Sequence, residues 1–290
     1  MTKEKQIMQI LLAVGIALAA LVLSALLLFV HLWNQGPSAE DLAELTAKAP
    51  EPPAFLQVQE TQPWFPPNPF NAEDFIHDGY YLHCTAEKSV VGIDVSKYQG
   101  VIDWDQVKSA GVEFVMIRIG GRGYGAAGNM YIDERGYANY LGAKEAGLRV
   151  GVYFFSQSVN VKEAIEEAEY ALALTQGWEL DMPIVYDWEY ISETARTAKV
   201  DTRTLTDCSR AFCDTINTAG RESMIYVSPW FGVPYPDELT AYPQWLARYT
   251  NHMDYKYKFD MWQYTDSGEV PGIAGKVDLN LLIPYDDTFE

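Results

Sequence analysis

The chain has few of the residues from which many enzymes build metal centres and nucleophilic triads. Its 290 residues include 3 cysteines and 4 histidines. Cys84, Cys208 and Cys213 lack metal-ligand spacing, and the offset between the last two points them to different sides of a predicted helix. We therefore expect buried free thiols. The scattered histidines indicate neither a zinc site nor a Ser-His-Asp triad, so no metal and no cofactor is predicted.

Positive charge is also scarce. Lys and Arg number 21 against 40 Asp and Glu, which gives a formal net charge of -19 at pH 7. Because phosphate binding needs clustered Lys and Arg, this balance argues against nucleic acid or an anionic lipid surface as a partner. Aromatic residues are plentiful instead, and the 8 Trp, 19 Tyr and 12 Phe supply core for one large domain or two small ones.

One long apolar run, residues 7–30, is interrupted by only Gln9 and Ser24. As a helix it spans roughly 36 Å, enough to cross a hydrocarbon core of about 30 Å. Lys3 and Lys5 precede it and acidic residues follow it, so the positive-inside rule keeps the N-terminus in the cytoplasm. A cleavable signal peptide is the alternative, although its apolar region is normally shorter. We predict that residues 1–33 form an uncleaved, single-pass signal anchor in the cell membrane.

A proline-rich segment, residues 34–89, follows the predicted anchor. Its prolines at positions 50, 52, 53, 63, 66, 67 and 69 favour an extended, stiffened chain. We predict an extracytoplasmic linker. Several aromatic residues in its second half indicate that part of it docks on the domain that follows: Trp64, Phe65, Phe70 and Phe75.

Regular patterning begins at residue 90. Eight strand-like apolar runs follow, at residues 90–96, 113–119, 149–156, 182–189, 223–228, 244–249, 259–265 and 277–283. A helix is predicted to open at 103–108, and others at 134–146, 161–175 and 206–218. Alternating strands and helices predict a parallel sheet. We predict an α/β fold over residues 90–290, an irregular, TIM-like (β/α) barrel of eight strands with helices mainly after the first four or five.

Two acids end the fourth predicted strand. Asp187 and Glu189 are two residues apart in an apolar run, so a strand projects both carboxylates from one face. Two acids forced together cannot ionise independently, and the more desolvated one keeps its proton to higher pH. One proton donor beside one anion is the usual equipment for cleaving a glycosidic bond. The alternative is a strand end with two solvated acids.

Further candidates converge on the same end of the barrel, where chemistry sits in such folds. Asp94 lies near the end of the first strand and Asp278 on the eighth, its neighbour on closure. Arg118 carries charge into the barrel, where we expect a salt bridge that orders the acids. Aromatic residues are predicted to line a carbohydrate cleft there: Tyr153, Phe155, Tyr226, Trp230, Trp262 and Tyr264. For each aromatic residue the alternative is core packing.

The segment 90–283 resembles glycoside hydrolase family 25, the lysozymes that cleave the glycan strand of peptidoglycan. The resemblance rests on five motifs in order: GIDVSKYQGVIDW (92–104), FVMIRIG (114–120), AKEAGLRVGVYFFS (143–156), MPIVYDWE (182–189) and MWQYTDSGEVPGIAGKVDLN (261–280). It implies an irregular β/α barrel and an N-acetylmuramidase that hydrolyses the β-1,4 bond from N-acetylmuramic acid to N-acetylglucosamine. Residues 1–89 lie outside it.

The resemblance also implies roles for the acids. Glu189 matches the family's general acid and Asp187 the carboxylate that stabilises the intermediate, while Asp94 and Asp278 match the remaining acids of the cleft. We expect the pKa of Glu189 to be raised by Asp187 and by the apolar side chains of its sequence neighbours Trp188 and Ile191. The spacing leaves retaining, inverting and substrate-assisted routes open. We favour the third, in which the substrate's own N-acetyl oxygen attacks.

These observations favour a bacterial, membrane-anchored muramidase whose domain lies outside the cell, with peptidoglycan glycan strands as its partner and local wall remodelling as its role. A second hypothesis is a wall-binding or scaffold module that kept the barrel but lost turnover. A third is an enzyme for a different N-acetylated polysaccharide. Retention of all four acids argues against the scaffold hypothesis, because a pure binding module needs no proton donor.

Overall fold

The computed structural model describes residues 66–228, 239, 241–250, 253–255 and 257–283. The predicted anchor, most of the predicted linker and Trp230 lie outside these residues. Within them, no helix combines the length and the apolar character that a membrane span requires.

The strands of the described residues, in chain order, are β1 (Phe75–His77), β2 (Leu82–Cys84), β3 (Val90–Val95), β4 (Phe114–Arg122), β5 (Met130–Ile132), β6 (Arg149–Ser156), β7 (Ile184–Trp188), β8 (Ser223–Val227), β9 (Gln244–Ala247), β10 (Met261–Gly268) and β11 (Val277–Leu282). The hydrogen-bonded order is β3-β11-β10-β9-β8-β7-β6-β4, and β3 also pairs with β4, which closes a barrel. The eight predicted strands are confirmed.

Four α-helices lie among the described residues: α1 (Trp104–Ser109), α2 (Gly136–Glu145), α3 (Val161–Leu174) and α4 (Thr202–Thr218). The predicted N-cap of α1 is confirmed, because the Asp103 carboxylate accepts a hydrogen bond from the backbone N–H of Gln106. Helix α4 begins four residues before its predicted start. The cause is Asp201, whose side chain caps the backbone N–H of Thr204 and starts the helix there.

The last strand corrects the prediction of a parallel sheet. From β3 to β10 the barrel strands pair in parallel, but β11 is antiparallel to both β10 and β3. A parallel connection needs a crossover of a dozen or more residues, and Gly268 and Val277 are too close in sequence for one. The reversed direction brings Asp278, at the start of β11, directly opposite Asp94. A parallel β11 would have carried Asp278 to the other end of the barrel.

The core has two layers because strand residues alternate between faces. The inner layer fills the barrel with large side chains such as Phe114, Met116 and Trp245. The outer layer lies between the strands and the helices and includes Phe154 and Phe212. Gly92 faces the inner layer, and a Cβ there would come within 2.2 Å of the Phe114 ring.

Part of the predicted linker belongs to the folded domain. A short 3₁₀ turn, Ala72–Asp74, leads into the antiparallel hairpin of β1 and β2. Phe70 packs 6.2 Å from the ring of Phe259, and Phe75 packs edge-on to Trp262 at 5.1 Å. The expected docking is confirmed for these two aromatic residues, and the domain therefore starts before residue 90. Trp64 and Phe65 lie outside the described residues.

The three cysteines are buried free thiols, as predicted. Burial raises the pKa of both Cys208 and Cys213 to about 12, so neither is a reactive thiolate near neutral pH.

Candidate active site

Four acids meet at the mouth of the barrel formed by the carboxyl ends of the parallel strands. Asp187 and Glu189 project from the end of β7 on one face, as their spacing predicts, and lie close enough for each to change the pKa of the other. Asp94 on β3 and Asp278 on β11 face each other across the antiparallel pairing, close enough for Asp94 to raise the pKa of Asp278. Asp94 and Asp187 are 5% and 4% exposed, so each pair joins one buried acid to one that reaches solvent.

Burial raises the pKa of both acids in the Asp187–Glu189 pair. Loss of water raises the pKa of Asp187 well above its ordinary value, and the adjacent Glu189 carboxylate raises it further. The pKa of Glu189 is also raised, chiefly by burial; the contact with Asp187 lowers it and the negative charge of Asp94 raises it. The predicted rise in the pKa of Glu189 is therefore confirmed, but its predicted cause is wrong, because Asp187 lowers this pKa. Of the two predicted apolar neighbours, Trp188 packs in the outer core layer and Ile191 is 37% exposed.

The second pair holds a proton as well. Burial and the neighbouring Asp94 raise the pKa of Asp278 to about 9, and burial raises the pKa of Asp94. Hydrogen bonds from the side-chain amides of Gln263 and Asn280 to Asp94 Oδ2, at 2.8 and 2.9 Å, partly offset that rise because they stabilise the charged form.

Sequence reasoning missed the side chains that hold Asp94. Gln263 Oε1 accepts hydrogen bonds from the hydroxyls of Tyr226 and Tyr249, at 2.8 and 2.9 Å. Asn280 Oδ1 accepts one from Trp245 Nε1 at 2.8 Å. The signal was present, because an uncharged amide on the inner face of a barrel strand is a buried polar group that needs partners.

Arg118 places a positive charge among the acids. The predicted salt bridge exists, but its partner is the buried Asp133, with Nε 2.8 Å from Oδ2. The guanidinium also lies over the Tyr98 ring, 5.0 Å from its centroid. From this position Arg118 lowers the pKa of both Asp187 and Glu189. Asp133 therefore orients the Arg118 guanidinium, and the positive charge of that group lowers the pKa of both acids in the Asp187–Glu189 pair.

A buried polar network supports the backbone of Glu189. Gln157 Nε2 donates to the carbonyl oxygen of Glu189 at 3.0 Å, and Gln157 Oε1 accepts from the Thr197 hydroxyl at 2.8 Å. Arg196, which is paired with Glu163, donates to the carbonyl oxygen of Gln157 at 2.8 Å. These contacts make Gln157 a positioning residue for the acid pair.

The predicted aromatic lining divides between the two faces of the sheet. Tyr153 and Tyr226 lie on the inner face beneath the acids, each 9% exposed and each packed edge-on to Trp245. Trp262 and Tyr264 do not line the mouth. Gln263 between them points inward, so both point outward, and Trp262 is fully buried. Phe155, partly exposed, lies beside Asp187 in the pairing of β6 with β7.

The part of the chain that carries three of the four acids matches a known protein family. A family model, Glycosyl hydrolases family 25, matches residues 93–273, which carry Asp94, Asp187 and Glu189. The chain belongs to this family. Its barrel is therefore that of a glycosidase, a hydrolase with its acids at the mouth.

Two curated relatives and two solved structures illustrate the likeness. Lysozyme M1 of Streptomyces globisporus is 31% identical in an alignment 218 residues long, which covers 66% of this chain and 67% of that protein. The autolytic lysozyme of Clostridium acetobutylicum is 30% identical in an alignment 194 residues long, which covers 65% of this chain and 54% of that one. The autolysin LytC of Streptococcus pneumoniae has a TM-score of 0.60 at 27% identity, over 71% of this chain and 51% of its own. The bacterial lysozyme of Streptomyces coelicolor has a TM-score of 0.56 at 28% identity, over 67% and 91%. This chain thus spans about half the length of two of these relatives.

Proposed function

We propose that this family 25 glycosidase is an N-acetylmuramidase, which hydrolyses the β-1,4 bond from N-acetylmuramic acid to N-acetylglucosamine in peptidoglycan. The observation that carries the proposal is the buried Asp187–Glu189 pair, with both pKa values raised, at the mouth of the barrel. Relatives named as lysozymes support it, as does an N,O-diacetylmuramidase of Arthroderma benhamiae at 29% identity over 149 residues. A related structure of LytC, 26% identical, is described with a synthetic peptidoglycan ligand.

The mechanism that we propose begins with proton transfer from Glu189. Glu189 is the more exposed acid of its pair, so it is the one that reaches the glycosidic oxygen. Its proton passes to O4 of the leaving N-acetylglucosamine while the acetamido oxygen of the muramic acid attacks C1. Water then opens the cyclic intermediate, and Glu189 takes a proton from that water.

Asp187 is placed to orient the acetamido group. Its Oδ1 is buried, and no group of the described residues donates a hydrogen bond to it. The N–H of an acetamido group is a donor that this oxygen lacks. A hydrogen bond from that N–H would favour ionised Asp187 and so leave the proton of the pair on Glu189. An Asp187 that accepts a hydrogen bond from the acetamido N–H supports the substrate-assisted route over direct attack by Asp187 on the sugar.

For its location, we propose that the chain is held at the outer face of the cell membrane by residues 7–30. The support is the length and apolar character of that run and the lysines before it. A tethered enzyme acts on wall within reach of its own membrane, so local remodelling fits better than attack on another cell. Cell fractionation with protease added outside spheroplasts tests this, and we expect a membrane-bound barrel that is cut from outside.

The deciding experiment is digestion of purified peptidoglycan by the full-length protein in mild detergent, with products identified by mass spectrometry. We expect new reducing ends on muramic acid, and we expect Glu189→Gln to reduce their rate of release by about 10²–10⁴-fold because the proton donor is gone. Glu145→Gln, at the exposed end of α2, is the matched control and should behave as wild type.

Two other outcomes would redirect the assignment. Binding to the wall without release of any sugar, in both wild type and Glu189→Gln, would favour the scaffold hypothesis. Reducing ends on a sugar other than muramic acid would favour a different N-acetylated polysaccharide as the substrate.

A further inference from the structure

Two adjoining clefts lie along the outer side of β10 and β11, the first of them next to the catalytic mouth and the second reaching Ala110 at the end of α1. The two clefts have volumes of about 490 and 590 Å³ and share Tyr80 and Glu269 in their linings. The first cleft runs past Tyr249 and Asp266, and the second past Val270. We call these two clefts, which meet at Tyr80 and Glu269, the hairpin groove.

The hairpin groove is connected to the acid cluster through Tyr249. This tyrosine lines the first cleft, and its hydroxyl donates to Gln263 Oε1 at 2.9 Å. Gln263 in turn donates to Asp94 at 2.8 Å. Asp266, another lining residue, lies close enough for its charge to raise the pKa of Asp278. Tyr249 therefore borders both the acid cluster and the first cleft.

One wall of the groove comes from the β1–β2 hairpin, which precedes the residues matched by the family model. The hairpin is anchored to the barrel, because the backbone N–H of Leu82 donates to the Tyr264 hydroxyl and His77 packs edge-on to the Tyr264 ring. At its tip Gly79 has φ 113°, a left-handed conformation that favours glycine. The adjacent Tyr80 is 82% exposed on this fixed support.

We propose that the hairpin groove binds sugar units of the same glycan strand beyond those in the catalytic mouth, with Tyr80 as the stacking surface. The inference rests on the proposed function, since it names where the rest of that substrate lies. It assigns a binding role to the hairpin and to the outer face of β10, where Tyr264 lies. Tyr264 would then contribute to the cleft away from the acids, as a support for the hairpin.

The chemistry of the lining fits a glycan. An exposed tyrosine ring matches the apolar face of a sugar, while hydroxyls and carboxylates match sugar hydroxyls and acetamido N–H groups: Thr250, Thr265, Asp266, Ser267 and Glu269. Lys276 is the single Lys or Arg among the described lining residues, and it is paired with Glu269. An anionic ligand such as the carboxylates of stem peptides would find little positive charge here.

The test compares Tyr80→Ala with wild type on peptide-free glycan fragments of two lengths, a tetrasaccharide and strands of many repeats. We expect Tyr80→Ala to raise KM on the long strands about tenfold and to leave the tetrasaccharide kinetics unchanged, because only long strands reach the groove. Tyr137→Ala is the matched control, since Tyr137 is 59% exposed on α2, away from the groove. It should match wild type on both substrates.

The same comparison in a Glu189→Gln background measures binding of long strands without turnover, so it tests the groove even if the proposed reaction fails. A weaker Kd for Tyr80→Ala in that background supports the proposal. Equal KM and equal Kd for Tyr80→Ala and wild type on long strands would overturn it while leaving the muramidase assignment intact. The binding measurement is repeated on strands that carry stem peptides. If Tyr80→Ala weakened binding only to those strands, the proposal would also be overturned, because the groove would then bind peptide.

Discussion

The two acid pairs at the mouth differ in how the protein holds their buried member. Asp94 receives hydrogen bonds from Gln263 and Asn280, which are themselves held by tyrosine and tryptophan side chains. Asp187 Oδ1 is buried as well, but no group of the described residues donates to it. Burying an acceptor without a donor costs free energy, and such groups concentrate where function needs them.

This difference indicates a division of labour. The Asp94–Asp278 pair joins the first and last barrel strands through antiparallel partners and is braced by a network of buried hydrogen bonds. The Asp187–Glu189 pair has one supported backbone carbonyl, through Gln157, and one unsatisfied carboxylate oxygen. We infer that the first pair shapes the mouth and that the second performs the chemistry.

The sharpest way to break this comparison is to neutralise the buried member of each pair in turn. We expect Asp187→Asn to lower kcat by about 10²–10³-fold, because the amide cannot stabilise the positive charge that develops on the acetamido group. We expect Asp94→Asn to lower kcat about tenfold and to lower Tm, because the donors from Gln263 and Asn280 lose a charged acceptor. Steady-state kinetics on peptidoglycan and thermal melts measure both.

The ratio of the two losses in kcat is the informative quantity. If Asp94→Asn cost as much kcat as Asp187→Asn at unchanged Tm, both pairs would belong to the chemistry and the proposed division would be wrong.

Much of the fold was readable from the sequence because buried strands of a barrel are short apolar runs with clear boundaries. The eight runs, the cap at Asp103 and the meeting of Asp187 with Glu189 follow from local periodicity. The direction of β11 is not local. It depends on the connection between Gly268 and Val277, which is too short for a parallel crossover and which local periodicity does not describe.

The site was readable only where charge marked it. Four acids stand out in apolar runs, whereas Gln263 and Asn280 do not, although both face the acids. Trp262 and Tyr264 were assigned to the cleft by residue type. Both alternate along β10 with Met261 and Gln263, which face the barrel interior, and this alternation places Trp262 and Tyr264 on the outer face. Which of two alternating faces meets the substrate depends on tertiary packing.

A second prediction uses Arg118 to separate the pairs by pH dependence. Arg118 lowers the pKa of Asp187 and of Glu189, so its removal should raise both. Because activity requires protonated Glu189, the alkaline limb of the kcat/KM profile should move to higher pH in Arg118→Met. Arg118→Lys keeps the charge and should leave the limb near its wild-type position.

Arg118→Met also leaves Asp133 buried without its partner, so a loss of Tm is expected and is not by itself informative. The paired change Arg118→Met with Asp133→Asn removes both charges and should restore part of the Tm while keeping the shifted limb. A limb that stays in place in both variants would show that Arg118 does not act on the acid pair.

The smallest expected effect concerns stability and the second pair alone. The pKa of Asp278 is raised to about 9 in the folded protein, against about 3.9 for an ordinary Asp in an unfolded chain. Between these values the folded state keeps a proton that the unfolded state releases, so the free energy of unfolding falls as pH rises. The contribution of this proton is fully present below about pH 3.9 and is lost as pH approaches 9.

Asp278→Asn cannot titrate, so its Tm should gain on that of wild type across this interval. Thermal melts at a series of pH values measure the difference, and two parallel curves would mean that Asp278 is ionised in the folded protein and that the second pair holds no proton.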